Sequence, residues 1–395
     1  MRSRTFCGLA VALGLAHTTT AATAGNASEL RMNQIQVVGT HNSYHREISY
    51  AERTVFEKFV PGFQNLYYSH AKWADQFDHQ AVRSGEIDLH SDTVGGLYAQ
   101  PLIWKLSNLT NETIPWRDDN MLKPGLKVFH VTDLDTNSIC YTFVECLQQL
   151  KAWSDDHPNH LPLTFDLELK TDAFACAVGG VCADEAKDWT LDRILNIDKE
   201  IRSVLSAEKL IVPDDVRRDG LTLEQSILQH GWPTLGASRG KFMFYFDNEP
   251  STSIRNLYTA NGHESLQNRT VWTNSNEGSA DAAFIKYNNP NVTEIQRLVR
   301  KGYFIRTRAD DPIATVLSRN TTTRDNAFLS AAQIVSTDFP QYGMSARWDW
   351  DYAVQLEGGK VARCNPVSAP AWCRDEMLRD TPDNTYTRYR PWWPF

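Results

Sequence analysis

Short apolar runs alternate with helix-like segments between residues 34 and 336, and this alternation most constrains what the chain can fold into. The runs are rich in Val, Ile, Leu and Phe and are bounded by Gly, Pro, Asn or Asp, which predicts buried strands. Between them, Trp189–Leu205 and Thr323–Ala332 carry apolar residues at three- and four-residue steps, which predicts helices. The eight predicted strands are Gln34–Val38, Glu86–His90, Lys127–Val131, Leu163–Leu169, Lys241–Phe246, Thr270–Thr273, Tyr303–Thr307 and Ile334–Ser336.

The order of these elements favours a parallel α/β fold, and eight strands favour a TIM-type (β/α)8 barrel. A doubly wound open sheet would show the same alternation. A chain of 395 residues can form one large barrel or two ordinary domains. Because no repeat, low-complexity run or long linker interrupts the pattern, we predict a single domain over residues 25–395.

The first 24 residues have the features of a signal peptide. Arg2 and Arg4 precede the apolar run Phe6–Ala16, which is too short to span a bilayer, and Ala22-Thr23-Ala24 forms a cleavage site. We therefore predict a secreted, extracellular protein. No later stretch of 18 or more apolar residues predicts a transmembrane segment.

The cysteines and the glycosylation sequons agree with secretion. Cleavage after Ala24 removes one of seven cysteines, and the other six form close pairs. With no CxxC motif to favour zinc, we predict three local disulfides. The predicted pairs are Cys140/Cys146, Cys176/Cys182 and Cys364/Cys373, and Asn-x-Ser/Thr sequons begin at Asn26, Asn108, Asn111, Asn268, Asn291 and Asn320.

The acidic balance restricts the partners. The formal charge is −8, and loss of two arginines with the leader changes it to −10. This charge argues against nucleic acid and against broad binding to an anionic membrane, but it permits small acidic substrates held by local cations or a metal. Several aromatic side chains allow peripheral contact with a lipid surface, although we favour packing against the barrel as their role. These are Phe56, Phe59, Phe63, Tyr67, Tyr68, Trp392 and Trp393.

Polar residues concentrate in the predicted strands and directly after them. Residues two apart on a strand share a face, and in barrel enzymes the site lies at the carboxyl ends of the strands. Four consecutive predicted strands would therefore deliver polar groups to one mouth, and the last two strands add more. The residues are His41, Asn42, Glu86, Asp88, His90, His130, Glu168, Lys170, Arg306, Arg308 and Asp338.

The candidate ligands are oxygen donors, which indicates the type of cation. Carboxylate and amide oxygens suit Ca²⁺ and, less readily, Mg²⁺, whereas zinc would favour His or Cys. His41 and His130 are then available as general base and general acid. The predicted calcium ligands are Asn42, Glu86, Asp88 and Glu168.

Four segments together resemble the calcium-dependent phosphatidylinositol-specific phospholipase C family, in its single-domain secreted microbial form. They are THNSYH at Thr40–His45, GEIDLHSD at Gly85–Asp92, KVFHVTDLD at Lys127–Asp135 and LKAWSDDHPNHLPLTFDLELK at Leu150–Lys170.

The resemblance implies a phosphodiesterase barrel with two catalytic histidines. His41 would be the base and His130 the acid, with His90 as the alternative acid. Asp338 would orient His41. The four oxygen donors would hold Ca²⁺, and Lys170 with Arg306 or Arg308 would contact phosphate or inositol oxygens.

The implied reaction cleaves phosphatidylinositol-type lipids to diacylglycerol and a cyclic or open inositol phosphate. A glycerophosphodiester phosphodiesterase or a sphingomyelinase D-like enzyme could use the same kind of barrel on other substrates. A secreted glycosidase or sugar-binding barrel would also present paired carboxylates, but the two histidines and the four oxygen ligands would then have no role.

Overall fold

Eight parallel strands form a ring in the computed structural model, which describes residues 25–60, 62–109, 119–171 and 188–380. A ninth short strand, β9 (Arg363–Cys364), pairs antiparallel with the start of the first strand. The ring strands are β1 (Ile35–Thr40), β2 (Val82–Leu89), β3 (Leu163–Leu169), β4 (Phe242–Phe246), β5 (Trp272–Thr273), β6 (Phe284–Lys286), β7 (Phe304–Arg308) and β8 (Ile334–Thr337).

Each strand pairs with the next in sequence except β5 with β6, and the ring is nearly closed. β8 returns to pair in parallel with β1, where Val335 lies opposite Val38. Between β5 and β6, an isolated parallel bridge joins Asn274 to Phe284. The barrel prediction is therefore confirmed. A doubly wound open sheet is excluded because the first and last strands are hydrogen-bonded neighbours.

Helices connect the strands, and several are stabilised at their ends by side-chain caps. Thr142 Oγ1 accepts a hydrogen bond from Glu145 N at 3.2 Å where a helix begins. The described helices are α1 (Arg53–Phe59), α2 (Trp73–His79), α3 (Leu102–Leu106), α4 (Phe143–Asp156), α5 (Leu191–Val204), α6 (Pro213–Val216), α7 (Leu223–His230), α8 (Leu235–Ser238), α9 (Ser253–Thr259), α10 (Val292–Lys301), α11 (Pro312–Ser318) and α12 (Thr322–Leu329).

One predicted strand is wrong, and one barrel strand was missed. Lys127–Val131 forms only isolated antiparallel bridges, including Lys127 with His90 and with Thr142. The run is apolar because it is buried in the connection after β2, with Phe129 fully enclosed. The missing barrel strand, β6, has only three residues, too few for a recognisable pattern.

Two of the three predicted disulfides are present, Cys140–Cys146 and Cys364–Cys373. The Cys176/Cys182 pair and the signal peptide lie outside the described residues. Within the described ranges, no helix is long and apolar enough to cross a membrane.

The described aromatic residues considered for lipid contact are buried or half-buried, and Phe56, Phe63 and Tyr67 belong to a hydrophobic cluster with Ile103 of α3. Phe56 and Tyr68 are buried, and Phe63 and Tyr67 are half-buried. Trp392 and Trp393 fall beyond the described residues, and Phe59 is half-buried.

Candidate active site

The loop after β1 presents His41 and Asn42 at the carboxyl end of the barrel. Asn42 has a φ of 44°, a left-handed conformation that is costly for a non-glycine residue and often marks a functional site. Its Nδ2 donates to the hydroxyl of Tyr68 at 3.2 Å. No described donor reaches its buried Oδ1, which leaves an oxygen ligand available.

Three carboxylates cluster in the barrel interior because of strand register. Asp88 on β2 lies directly opposite Glu168 on β3, and Glu86 is two residues earlier on the same face. Oxygen atoms from these three side chains lie within 4.8 Å of one another. Burial, together with the neighbouring Glu168 and Glu86, raises the pKa of Asp88 well above its usual range despite Lys170.

Two of the predicted substrate-binding cations pair with this cluster. Lys170 Nζ lies 3.2 Å from Asp88 Oδ2 and 3.2 Å from Glu168 Oε1. Arg306 forms an ion pair with Glu86. Burial opposes the charge of Lys170, but the two carboxylates raise its pKa above the ordinary value. Both cations therefore balance carboxylate charge in this structure.

Sequence reasoning missed a second acidic group beside the first. Asp247 follows β4, and its carboxylate lies within 4.8 Å of those of Asp166 and Glu86. Lys286 Nζ contacts Asp247 Oδ2 at 2.6 Å. A signal was present, because Asp247 directly follows a predicted strand and Asp166 shares a strand face with Glu168.

Charge balance supports a divalent cation. Apart from the exposed Glu249, which also pairs with Lys286, five carboxylates face three cations in this network, so ionisation of all of them leaves a formal charge of −2. Buried carboxylates need such compensation, and Ca²⁺ prefers oxygen donors. The free Oδ1 of Asn42 adds a neutral ligand. The residues therefore fit calcium. The carboxylates are Glu86, Asp88, Asp166, Glu168 and Asp247, and the cations are Lys170, Lys286 and Arg306.

His41 is held by a carboxylate from the opposite end of the sequence. Its Nδ1 lies 2.8 Å from Asp338 Oδ1, and Arg308 donates to Asp338 Oδ2 at 2.9 Å. Burial alone would raise the pKa of Asp338, but His41 and Arg308 hold it below its usual range. The other ring nitrogen of His41 lies 3.7 Å from Glu86 Oε1, at the edge of the carboxylate cluster.

His130 reaches the same cleft from the connection after β2. Its Nδ1 lies 3.0 Å from Asp135 Oδ2, and burial lowers its pKa. The cleft has a volume of about 320 Å³. Its lining includes His41, Asn42, Asn65, Leu66, Tyr68, His130, Asn288, Arg308, Asp310, Asp311 and Pro312.

His90 occupies a different environment. It is buried, its ring stacks on Phe129 with centroids 3.8 Å apart, and its Nε2 bonds with the carbonyl oxygen of Phe129 at 3.0 Å. Burial holds its pKa well below the usual range. The ring is therefore packed in the connection after β2, and His90 does not line the cleft that His130 reaches.

The fold and the site define a barrel phosphodiesterase. The family model of calcium-dependent phosphoinositide phospholipase C matches residues 30–366, and the chain belongs to this family. A comparison with curated proteins finds no significant match.

Solved structures with a similar fold include a calcium-dependent phosphoinositol-specific phospholipase C from a Gram-negative Pseudomonas species. It is 15% identical, with a TM-score of 0.52 over 87% of this chain and 97% of that one. Another crystal form of that enzyme is also 15% identical, with a TM-score of 0.51 over 86% of this chain and 96% of that one. A calcium-dependent enzyme from Streptomyces antibioticus is 17% identical, with a TM-score of 0.48 over 79% of this chain and 95% of that one. At these identities the likeness extends to the fold alone.

Proposed function

We propose that the protein cleaves phosphatidylinositol-type lipids to diacylglycerol and a cyclic inositol phosphate. The observation that carries the proposal is that His41 and His130 line one cleft and that His41 Nε2 lies 3.7 Å from Glu86 Oε1, which belongs to the cluster of candidate oxygen ligands with Asp88 and Glu168. Two proton-transfer groups and a site for a hard cation can together promote phosphodiester cleavage by an internal hydroxyl.

His41 is the proposed general base. With its Nδ1 directed to Asp338, its Nε2 can take the proton from the inositol 2-hydroxyl, and that oxygen then attacks the adjacent phosphorus. Asp338 stabilises the imidazolium that forms. The P–O bond to the glycerol oxygen breaks as the new P–O bond closes the cyclic phosphate.

His130 is the proposed general acid. Asp135 accepts from its Nδ1, which leaves Nε2 free to protonate the departing diacylglycerol oxygen. The lowered pKa of His130 favours release of its proton, and the phosphate charge of a bound substrate favours its protonated form beforehand. Water can open the cyclic product with the two histidine roles reversed.

Glu86, Asp88 and Glu168, with Oδ1 of Asn42, would hold Ca²⁺. When bound, the ion acidifies the attacking hydroxyl and stabilises negative charge on the phosphate. Arg308 lines the cleft and is the cation that we propose contacts substrate oxygens. Substrate contact by Lys170 and Arg306 stays a prediction.

Incubation with phosphatidylinositol tests the function directly. We expect cyclic inositol phosphate by phosphorus NMR in the presence of Ca²⁺ and little or none with a chelator. Full activity in chelator would overturn the metal assignment. Release of glycerol 3-phosphate from glycerophosphodiesters, or of choline from sphingomyelin, would favour the other barrel enzymes. Sugar binding without a calcium requirement would favour the glycosidase alternative.

We also propose that the mature protein is a single secreted, glycosylated domain over residues 25–395 that contacts a membrane surface peripherally. In support, the five described sequon asparagines, Asn26, Asn108, Asn268, Asn291 and Asn320, are all exposed. After expression in a eukaryotic secretory host, the protein should be found in the culture medium, and its mass should fall on enzymatic deglycosylation. Retention in the cell without glycans would contradict the proposal.

A further inference from the structure

A second histidine lies behind the proposed acid. His45 is fully buried, and its Nε2 lies 3.0 Å from Asp135 Oδ2 and 3.1 Å from Asp135 Oδ1. The same Asp135 accepts from Nδ1 of His130, so one carboxylate joins the two imidazoles. His45 does not line the cleft with His130, and a direct catalytic role would require contact with substrate.

Hydrogen-bond stoichiometry defines the charge of this buried ring. Nδ1 of His45 lies 3.1 Å from the carbonyl oxygen of Tyr68, which can only accept, so this nitrogen carries a proton. An ionised Asp135 is also only an acceptor, so Nε2 carries a proton as well. With both nitrogens donating, the ring is an imidazolium ion paired with Asp135.

We infer that His45, held as an imidazolium, is a positioning residue that acts on His130 through Asp135. The inference rests on the proposed function, in which His130 is the acid. The Asp135 carboxylate fixes the Nδ1–H tautomer of His130 and directs Nε2 toward the leaving group. The positive charge of His45 offsets the negative charge of Asp135. Without His45, the uncompensated Asp135 carboxylate would stabilise the protonated form of His130, raise its pKa and so make it a weaker acid.

The pattern of partners separates this role from simple packing. A buried histidine that only fills space would satisfy one nitrogen with a backbone group and remain neutral. His160 is such a case, with bonds to Ser154 Oγ at 2.8 Å and to the Leu161 carbonyl at 2.6 Å, just before β3 at the other end of the barrel. His160 therefore provides a matched control of equal burial, remote from the cleft.

The test varies the leaving group. His45→Gln keeps a hydrogen-bond donor for Asp135 but removes the charge. General acid catalysis matters for an alkoxide leaving group and little for an aryl one, so two substrates are compared, phosphatidylinositol and an inositol nitrophenyl phosphodiester. We expect kcat on the lipid to fall about 10- to 100-fold, with less than about a 3-fold change on the aryl ester. The control His160→Gln should leave the ratio of kcat on the lipid to kcat on the aryl ester unchanged.

The His130→Ala variant calibrates the experiment. It should show the same selective loss, and if it does not, the acid assignment within the proposed function fails. The role of His45 is overturned if His130→Ala lowers kcat mainly on the lipid, whereas His45→Gln lowers kcat equally on both substrates or on neither.

A double-mutant cycle provides a second measurement. Asp135→Asn removes the link, so adding His45→Gln to it should cause no further selective loss. Additive losses would show that His45 acts independently of Asp135. If His45→Gln fails to fold, Asp135→Asn alone must show the leaving-group selectivity, and a non-selective result would overturn the inference.

Discussion

Nδ1 of His41 and Oδ1 of Asp338 lie 2.8 Å apart although 297 positions separate the two residues in sequence. The contact exists because β8 closes the barrel against β1, with Thr337 opposite Thr40. The side chains that follow the two strands therefore meet at the carboxyl end of the ring.

Asp338→Asn should lower kcat on phosphatidylinositol on the order of 10²-fold, because the amide cannot stabilise the His41 imidazolium. The change keeps the side-chain shape, and thermal unfolding should confirm that the protein remains folded. Asp155→Asn, in an exposed ion pair with Lys151, is the control and should leave kcat unchanged. Equal activity of Asp338→Asn and the parent would refute the orienting role.

His41→Ala and His130→Ala should each reduce cleavage by about 10²- to 10⁴-fold, the usual contribution of a general base or acid. Both side chains are partly exposed in the cleft, so circular dichroism should show little loss of fold. His79→Ala on α2 is the control, because His79 is largely exposed and does not line the cleft. A folded His41→Ala variant with normal cleavage would rule out its role as the base.

Asp88→Asn should abolish most of the stabilisation that Ca²⁺ gives. A ligand at 100 times its Kd stabilises by about 2.7 kcal/mol, and we expect the parent melting temperature to rise accordingly with calcium. In chelator the variant should be at least as stable as the parent, because it lowers the excess negative charge of the network and Lys170 keeps its contact with Glu168. Asp75→Asn, on an exposed position of α2, serves as the control. An unchanged calcium response in Asp88→Asn would be incompatible with the ligand set.

Glu200→Gln should stabilise the protein above neutral pH and not below about pH 4. Burial raises the pKa of Glu200 to about 7 from 4.5, although bonds from Leu126 N and Asn196 oppose this. The folded state therefore binds more protons than the unfolded state between these values, and stability falls as pH rises through that window.

The glutamine variant avoids this loss in the free energy of unfolding, which amounts to at most about 3 kcal/mol at pH 8. Urea unfolding at pH 4 and pH 8 measures the difference. Glu208→Gln, at an exposed position, should show no such pH-dependent gain. A gain of the same size at both pH values would mean that the effect does not come from Glu200 ionisation.

Much of the site followed from strand periodicity. Glu86 and Asp88 are two residues apart on one strand, so they had to share a face, and β3 placed Glu168 in the same way. His130 reached the cleft for a different reason from the one predicted. It lies on a buried connection and not on a barrel strand, because the bridge between Lys127 and His90 carries that segment over the barrel end.

The sequence by itself determined the class of barrel, the oxygen-rich donor set and the two histidines, since these depend on residue type and on local spacing. Only the tertiary structure decided which polar groups pair across the ring. Asp135 joins His45 across 90 positions, and Lys286 meets Asp247 from a strand too short to be recognised. Such partners depend on ring closure and strand register, which bring distant residues within hydrogen-bond distance and leave no periodic signal in the sequence.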